Sequence, residues 1–221
     1  YVVEFEGIVK KRDGSLVNTG LETGNIELVA KSLKILNKSK TLPFPLDGDG
    51  HDIDEKVRLK YRYLDIRRQR VRDLIDLRHK LMLFTRNWFS DNGFVEIQTP
   101  LLTVSSPEGA RDFLVPSRIH KGKFYALPQA PQQYKQLLMV GGVDKYFQIA
   151  PCFRDEDPRA DRHSGDFYQL DVECSFVTQQ EFFERVEPYF KDVVSKLTGK
   201  ELKEFPFPQV TYTEALGKYG S

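Results

Sequence analysis

Between residues 146 and 176 two apolar, strand-like runs enclose a segment too charged to be an ordinary turn. Tyr146 to Ala150 forms the first run and Phe167 to Phe176 the second. Between them lies Phe153-Arg154-Asp155-Glu156-Asp157-Pro158-Arg159-Ala160-Asp161-Arg162-His163, in which seven of eleven residues are Asp, Glu or Arg. A hairpin tip needs a few charges for solubility, but not this density of arginine. One reading is an exposed loop whose charges cancel. The other is a polyphosphate site, because guanidinium forks match phosphate oxygens and carboxylates hold Mg²⁺ or an amino group. The returning strand sharpens the choice. Gln169, Asp171 and Glu173 are spaced by two and share one face, with Tyr168, Leu170, Val172 and Cys174 on the other. Such a sheet is wet or ligand-covered on one side and packed on the other.

The rest of the chain divides into zones around this hairpin. Val3, Phe5 and Val9 alternate with Glu4, Glu6 and Lys10, and Ile26, Leu28 and Ala30 with Glu27 and Val29, so residues 1–42 read as β. Pro43, Pro45 and Asp47-Gly48-Asp49-Gly50 mark residues 43–63 as a hinge. The D-x-D-G string lacks the closing ligands of a calcium loop. From residue 64 to 221 helices and strands alternate in an α+β pattern with a mixed or antiparallel sheet. Leu74, Leu77, Leu81, Phe84 and Trp88 give a long amphipathic helix, with Arg67, Arg68, Arg70 and Arg72 crowding its first turns. Asn92-Gly93 ends it. A strand follows from Phe94 to Gln98, then another near Phe124 to Leu127. Pro131 opens a helix that runs to Val140 before Gly141-Gly142. Thr178 and Glu181 form a capping box. The helix behind it uses Phe182, Val186, Phe190, Val193 and Leu197, with a kink expected at Pro188.

Composition narrows the class. A chain of 221 residues with 40% hydrophobic and 29% charged residues can bury a core and is neither disordered nor low in complexity. No apolar run reaches the 18 or so residues of a membrane helix. Cys152 and Cys174 make neither a disulfide framework nor a zinc site, so a reducing compartment is the default. The net charge of +1 neither favours nor excludes a nucleic-acid partner. Position 1 is Tyr, already inside a strand-like alternation, so the chain is expected to be an internal piece of a longer protein.

Two further loops hold clustered polar residues. One is Pro107-Glu108-Gly109-Ala110-Arg111-Asp112. The other is Pro128-Gln129-Ala130-Pro131-Gln132-Gln133-Tyr134-Lys135-Gln136, where Gln132 and Lys135 lie near a helix N-terminus that favours carboxylates.

Together these stretches resemble the class II aminoacyl-tRNA synthetases, and within them the bacterial-type aspartyl-tRNA synthetases. Arg58-Leu59-Lys60-Tyr61-Arg62-Tyr63-Leu64-Asp65 resembles the start of the family's catalytic domain. Gly93 to Pro100 looks like motif 1, the dimer-interface strand. Pro107 to Asp112 with Leu114 to Arg118 is similar to the mobile active-site loop. Phe153 to Glu156, continuing to Phe167, looks like motif 2. The proline-glutamate-glycine loop and the Gln132-x-x-Lys135 helix favour aspartate over the lysine and asparagine relatives.

The resemblance implies a class II antiparallel sheet flanked by helices over 64–221, preceded by the last strands of an anticodon-binding OB-fold barrel over 1–42. It implies ATP and Mg²⁺ as cofactors, and L-aspartate, tRNA(Asp) and a second subunit, docked through motif 1, as partners, in the cytoplasm and away from membranes. Glu108 would close over the aspartate ammonium, Gln132 would contact aspartate and Lys135 would take its side-chain carboxylate. Arg154 would bridge the α-phosphate and the reacting carboxylate. Asp155 and Glu156 would belong to the ATP site, with Glu156 holding the adenine amino group and Phe167 stacked on the ring. Asp171 and Glu173 would support the metal and the amino-acid network. An asparagine amide would leave a buried Lys135 ammonium unpaired, at a cost of about 3–5 kcal/mol.

Some positions depart from the family pattern. Ala130 replaces a usual serine, and His163-Ser164-Gly165-Asp166 replaces a Gln-Pro-Glu, so the γ-phosphate contact falls to His163 as a donor. The arginine-bearing motif 3 is not found after residue 176, so the isolated chain is expected to lack pyrophosphate exchange. A truncated relative that only binds or dimerises is the alternative. Whether tRNA(Asn) is also charged is left open.

Overall fold

The structure, a computed structural model, describes residues 1–156 and 165–220. It contains two compact units, Tyr1–Val71 and Arg72–Ser221.

In the first unit β1 (Val2–Lys11) and β2 (Ile26–Asn37) pair as an antiparallel ribbon, with Val9 opposite Leu28 and bulges at Val2/Val3 and Glu6/Gly7. Phe5, Val9, Leu28 and Leu33 are all exposed. Two short helices follow, α1 (Glu55–Lys60), capped by Asp54, and α2 (Arg62–Asp65). The proline- and glycine-rich segment before them wraps a buried cation. Arg68 is 1% exposed, and its guanidinium donates to the carbonyls of Pro45 and Asp47 and to Asp65. Asp65, fully buried, also takes Arg62 Nη1 at 2.8 Å. The arginine cluster that reads as a charged helix start therefore contributes its most deeply buried member.

Gly50 is required by this packing. Its φ is +78°, and a Cβ there would lie 2.7 Å from Arg68 Nε. Gly50→Ala is expected to destabilise this unit by about 1–3 kcal/mol. A shift of the urea midpoint measures it, and an unchanged midpoint would mean that Arg68 moves aside freely.

The second unit holds all but the first three residues of α3 (Gln69–Asp91), which leads into β3 (Val95–Glu96). Next come a hairpin of β4 (Leu114–Pro116) and β5 (Phe124–Ala126), then α4 (Gln132–Val140), which starts at Pro131. The central strands are β6 (Lys145–Phe153) and β7 (Asp166–Cys174), and α5 (Gln179–Val193) and α6 (Tyr212–Tyr219) follow. The sheet order is β3-β6-β7. β6 and β7 are antiparallel, but β3 runs parallel to β6, with Val95 opposite Tyr146. The sheet is thus mixed, one of the two arrangements read from the residues, and this corrects the antiparallel sheet that the resemblance implies. Between β3 and β6 the chain makes a long crossover through β4, β5 and α4, and a crossover returns a strand in its original direction.

One face of this sheet is the core. Phe89 of α3, Phe94, Phe147 of β6 and Tyr189 of α5 are buried together, with Trp88, Leu170, Val172 and Val193 against them. Phe89 and Phe147 stack at 5.1 Å, and Thr85 and Tyr189 share a 2.8 Å hydroxyl bond. Along α3 the burial runs through Thr85 and Phe89, while Leu74 and Leu77 stay exposed. In α5 the buried aromatic is Tyr189 rather than Phe190. The capping box of Thr178 and Glu181 is formed, and α5 continues through Pro188.

Candidate active site

Strand alternation builds the site on the opposite face of β6 and β7. Cross-strand pairing sets Tyr146 beside Glu173, Gln148 beside Asp171, Ala150 beside Gln169 and Cys152 beside Phe167. Paired residues share a face, so the polar set of β7 lies alongside Tyr146, Gln148 and Cys152. Gln148 is buried, and its Oε1 accepts from the Tyr146 hydroxyl at 2.6 Å and from Thr99 at 3.1 Å.

Lys135 projects from α4 onto this face. It is 8% exposed, and its Nζ lies 2.7 Å from Asp171 Oδ1 and 2.8 Å from Glu173 Oε1. Burial alone would lower its pKa, but hydrogen bonds and charge from the two carboxylates outweigh burial and raise it. The ammonium therefore persists through the neutral range. Gln132, one turn earlier, is half-buried at the first position of the helix.

Arg154 follows the end of β6. Its guanidinium lies 5.1 Å from the Phe167 ring centre, a cation–π arrangement. Two buried polar atoms find no hydrogen-bond partner among the described residues, Arg154 Nε and Asp171 Oδ2. Unpaired buried groups are rare and costly. The Cys152 thiol is buried on the same face, opposite Phe167. Burial pushes it up to about 11, with Asp171 adding to the rise while Arg154 and Lys135 oppose it. Arg154 lies against Phe167, and Lys135 against Asp171 and Glu173, so both cations sit over the same face of β7. Tyr146 is raised too, by burial and then by Asp171.

The loop through Glu108 meets the residue after Arg154. Arg111 pairs with Asp155 across an isolated bridge, Asp155 N–H donating to Arg111 O at 2.9 Å and Arg111 Nε to Asp155 O at 3.2 Å. Glu108 is exposed and lines a small cleft with Ser106, Ala130 and Tyr134. Asp155 and Glu156 are exposed at the start of the charged segment. His163 lies outside the described residues.

Sequence reasoning passed over Gln129, Tyr146, Gln148 and Thr99. Gln129 is fully buried and bonds to the Glu108 loop. Its only signal was an amide set between Pro128 and the proline that opens α4.

Residues 54–221 match the family model of class II tRNA synthetases (D, K and N). The chain is 54% identical over its whole length to an aspartate–tRNA(Asp/Asn) ligase from Parvibaculum lavamentivorans, covering 36% of that protein. A protein of the same name from Chlorobium phaeobacteroides is 51% identical, again over all of this chain and 36% of the relative. The chain thus spans little more than a third of these curated relatives. Among solved structures, one from Leishmania major Friedlin described as an aspartyl-tRNA synthetase superposes with a TM-score of 0.76 at 26% identity, over 93% of this chain and 42% of that one. The asparaginyl-tRNA synthetase of Pyrococcus horikoshii, complexed with asparaginyl-adenylate, shares the fold at a TM-score of 0.72 and 24% identity, over 97% and 50%. With a family model matched across most of its length and a like-folded neighbour in solved structures, the chain belongs to the class II tRNA synthetases of the D, K and N group.

Proposed function

We propose that these residues belong to an enzyme that activates L-aspartate with ATP to aspartyl-adenylate and transfers the aspartyl group to tRNA(Asp). The observation that carries the reading is the pairing of Arg154, with its buried and unsatisfied Nε, and the Lys135–Asp171–Glu173 cluster on one sheet face. Adenylation brings a carboxylate against a triphosphate, and that repulsion calls for a fixed cation at the reacting oxygens. Arg154 fills this role, with Phe167 holding its plane and offering its ring to adenine. Glu156 and Asp155 lie beside it for the adenine amino group and the nucleotide. Glu108 covers the aspartate ammonium, while Gln132 and Lys135 orient the amino acid. His163 supplies the γ-phosphate contact. Mg²⁺ would be held by one or two carboxylates together with the ATP phosphates and would neutralise phosphate charge. Glu173, the more exposed carboxylate of the cluster, is the one suited to it.

The cluster changes the argument for selectivity. Lys135 already holds two carboxylates, so an asparagine amide does not leave its charge unpaired. Two of its three N–H donors are engaged, and the third meets either a carboxylate or an amide oxygen. Discrimination then rests on net charge and on where the amide NH₂ must point, which is weaker than the loss of a whole counter-ion.

Lys135→Leu is expected to abolish aspartate-dependent ATP–pyrophosphate exchange in the complete natural polypeptide that contains these residues. Near-normal exchange would disprove the role. Thermal unfolding of the same variant separates a lost site from a lost fold, since Asp171 and Glu173 would face each other without a cation.

The wider assembly is part of the same proposal. β1 and β2 serve as closing strands of an OB-fold barrel. Exposed Leu74, Leu77, Leu83 and Val95 form the surface for a second subunit. No helix among the described residues is long and apolar enough to cross a membrane, and the cytoplasm is the proposed location. The names of the relatives favour tRNA(Asn) as a second acceptor, tested by comparing acylation of the two tRNAs.

A further inference from the structure

We infer that Gln129 is a positioning residue, a latch that sets the position of the loop carrying Glu108. The inference rests on the proposed adenylation site and assigns it a part that neither strand nor helix supplies.

The geometry is that of a strand pairing made by a side chain. Gln129 Oε1 accepts from Ala110 N–H at 3.1 Å, and its Nε2 donates to Ala110 O at 2.9 Å. One amide therefore satisfies both backbone groups of one loop residue. Nε2 also reaches Asp112 Oδ1, and the other oxygen of Asp112 takes the Ser105 hydroxyl. The loop is thus gripped at residues 105, 110 and 112, and Glu108 lies within that span.

The backbone of Gln129 is fixed from both sides. Pro128 O accepts from Phe153 N–H at 2.9 Å, next to Arg154. Pro131 caps α4, and Lys135 N–H donates to its carbonyl at 3.0 Å. A residue clamped between the Arg154 strand and the Lys135 helix hands their position to the loop. Gln129 itself is fully buried. Its hydrogen bonds are shielded from water, and leaving their partners unmade is costly.

The test uses Gln129→Glu and the double variant Gln129→Glu/Asp112→Asn in the complete polypeptide. The single change keeps the shape and the acceptor but sets a carboxylate against Ala110 O and Asp112. The aspartate KM is expected to rise about tenfold or more, consistent with losing a buried donor, while the ATP KM stays within about twofold. Deuterium uptake over residues 105–112 should quicken in step. In the double variant the amide introduced at position 112 donates to the carboxylate introduced at position 129 and still accepts from Ser105. The aspartate KM and the exchange are then expected to move back toward the parent values. An unchanged aspartate KM and uptake in the single variant would overturn the latch. So would an equal rise of both KM values. If the parent polypeptide shows no aspartate-dependent exchange, the functional reading fails instead, and the deuterium measurements alone decide whether Gln129 holds the loop.

Discussion

Arg154→Lys is expected to lower aspartate-dependent ATP–pyrophosphate exchange by about 10²–10³-fold, the range seen when one fixed donor to a developing charge is removed. The substitution retains the positive charge, so a loss would trace to geometry. A planar guanidinium can span two oxygens at once, one on the phosphate and one on the carboxylate, whereas an ammonium is a single point charge. The guanidinium is also held against Phe167 at 5.1 Å, and its Nε is buried without a partner among the described residues. The ring contact fixes the plane of the guanidinium. Exchange measured at saturating ATP and aspartate reads the effect. A decline of less than about threefold would remove Arg154 from the reacting centre.

Asp65→Ala carries the largest expected effect on stability, about 3–5 kcal/mol, because it strands a buried cation. Arg68 is enclosed, and Asp65 is its only described carboxylate contact, at 3.0 Å. The same carboxylate serves Arg62. The carbonyls of Pro45 and Asp47 complete the guanidinium's bonding but bring no full charge. Urea denaturation followed by deuterium uptake over residues 44–68 measures the change. The double replacement Asp65→Leu with Arg68→Met should recover most of the loss, since removing both partners of a buried pair is often neutral. A double variant as unstable as the single one would show that the pair has another role.

The site was partly legible in the letters because strands alternate. The period of two placed Gln169, Asp171 and Glu173 together and Leu170 and Val172 opposite, as the pairing with β6 shows. Proline at 131 and glycine at 141 bounded α4, and Thr178 with Glu181 announced α5. These are local rules acting over two to four residues. Burial was read less well. The expected α3 stripe held at Phe84 and Trp88, which pack against the core beside Thr85 and Phe89, but it extended to Leu74 and Leu77, which are exposed. Periodicity gives a face, but the neighbours decide how far along the helix that face is covered.

The sequence alone determined the two faces of the hairpin, the placing of Lys135 on a short helix and the arginine that follows β6. Each follows from backbone geometry within a few residues. Tertiary structure alone decided that β3 joins the sheet parallel to β6, that Lys135 is met by two carboxylates, and that Gln129 and Arg68 are buried rather than solvated. The Lys135 and Asp171 side chains are 36 positions apart, Gln129 and Ala110 are 19 apart, and Arg68 and Pro45 are 23 apart. No local period encodes a contact at such separations. It forms because a charged or amide group that leaves water must find a partner wherever the fold supplies one.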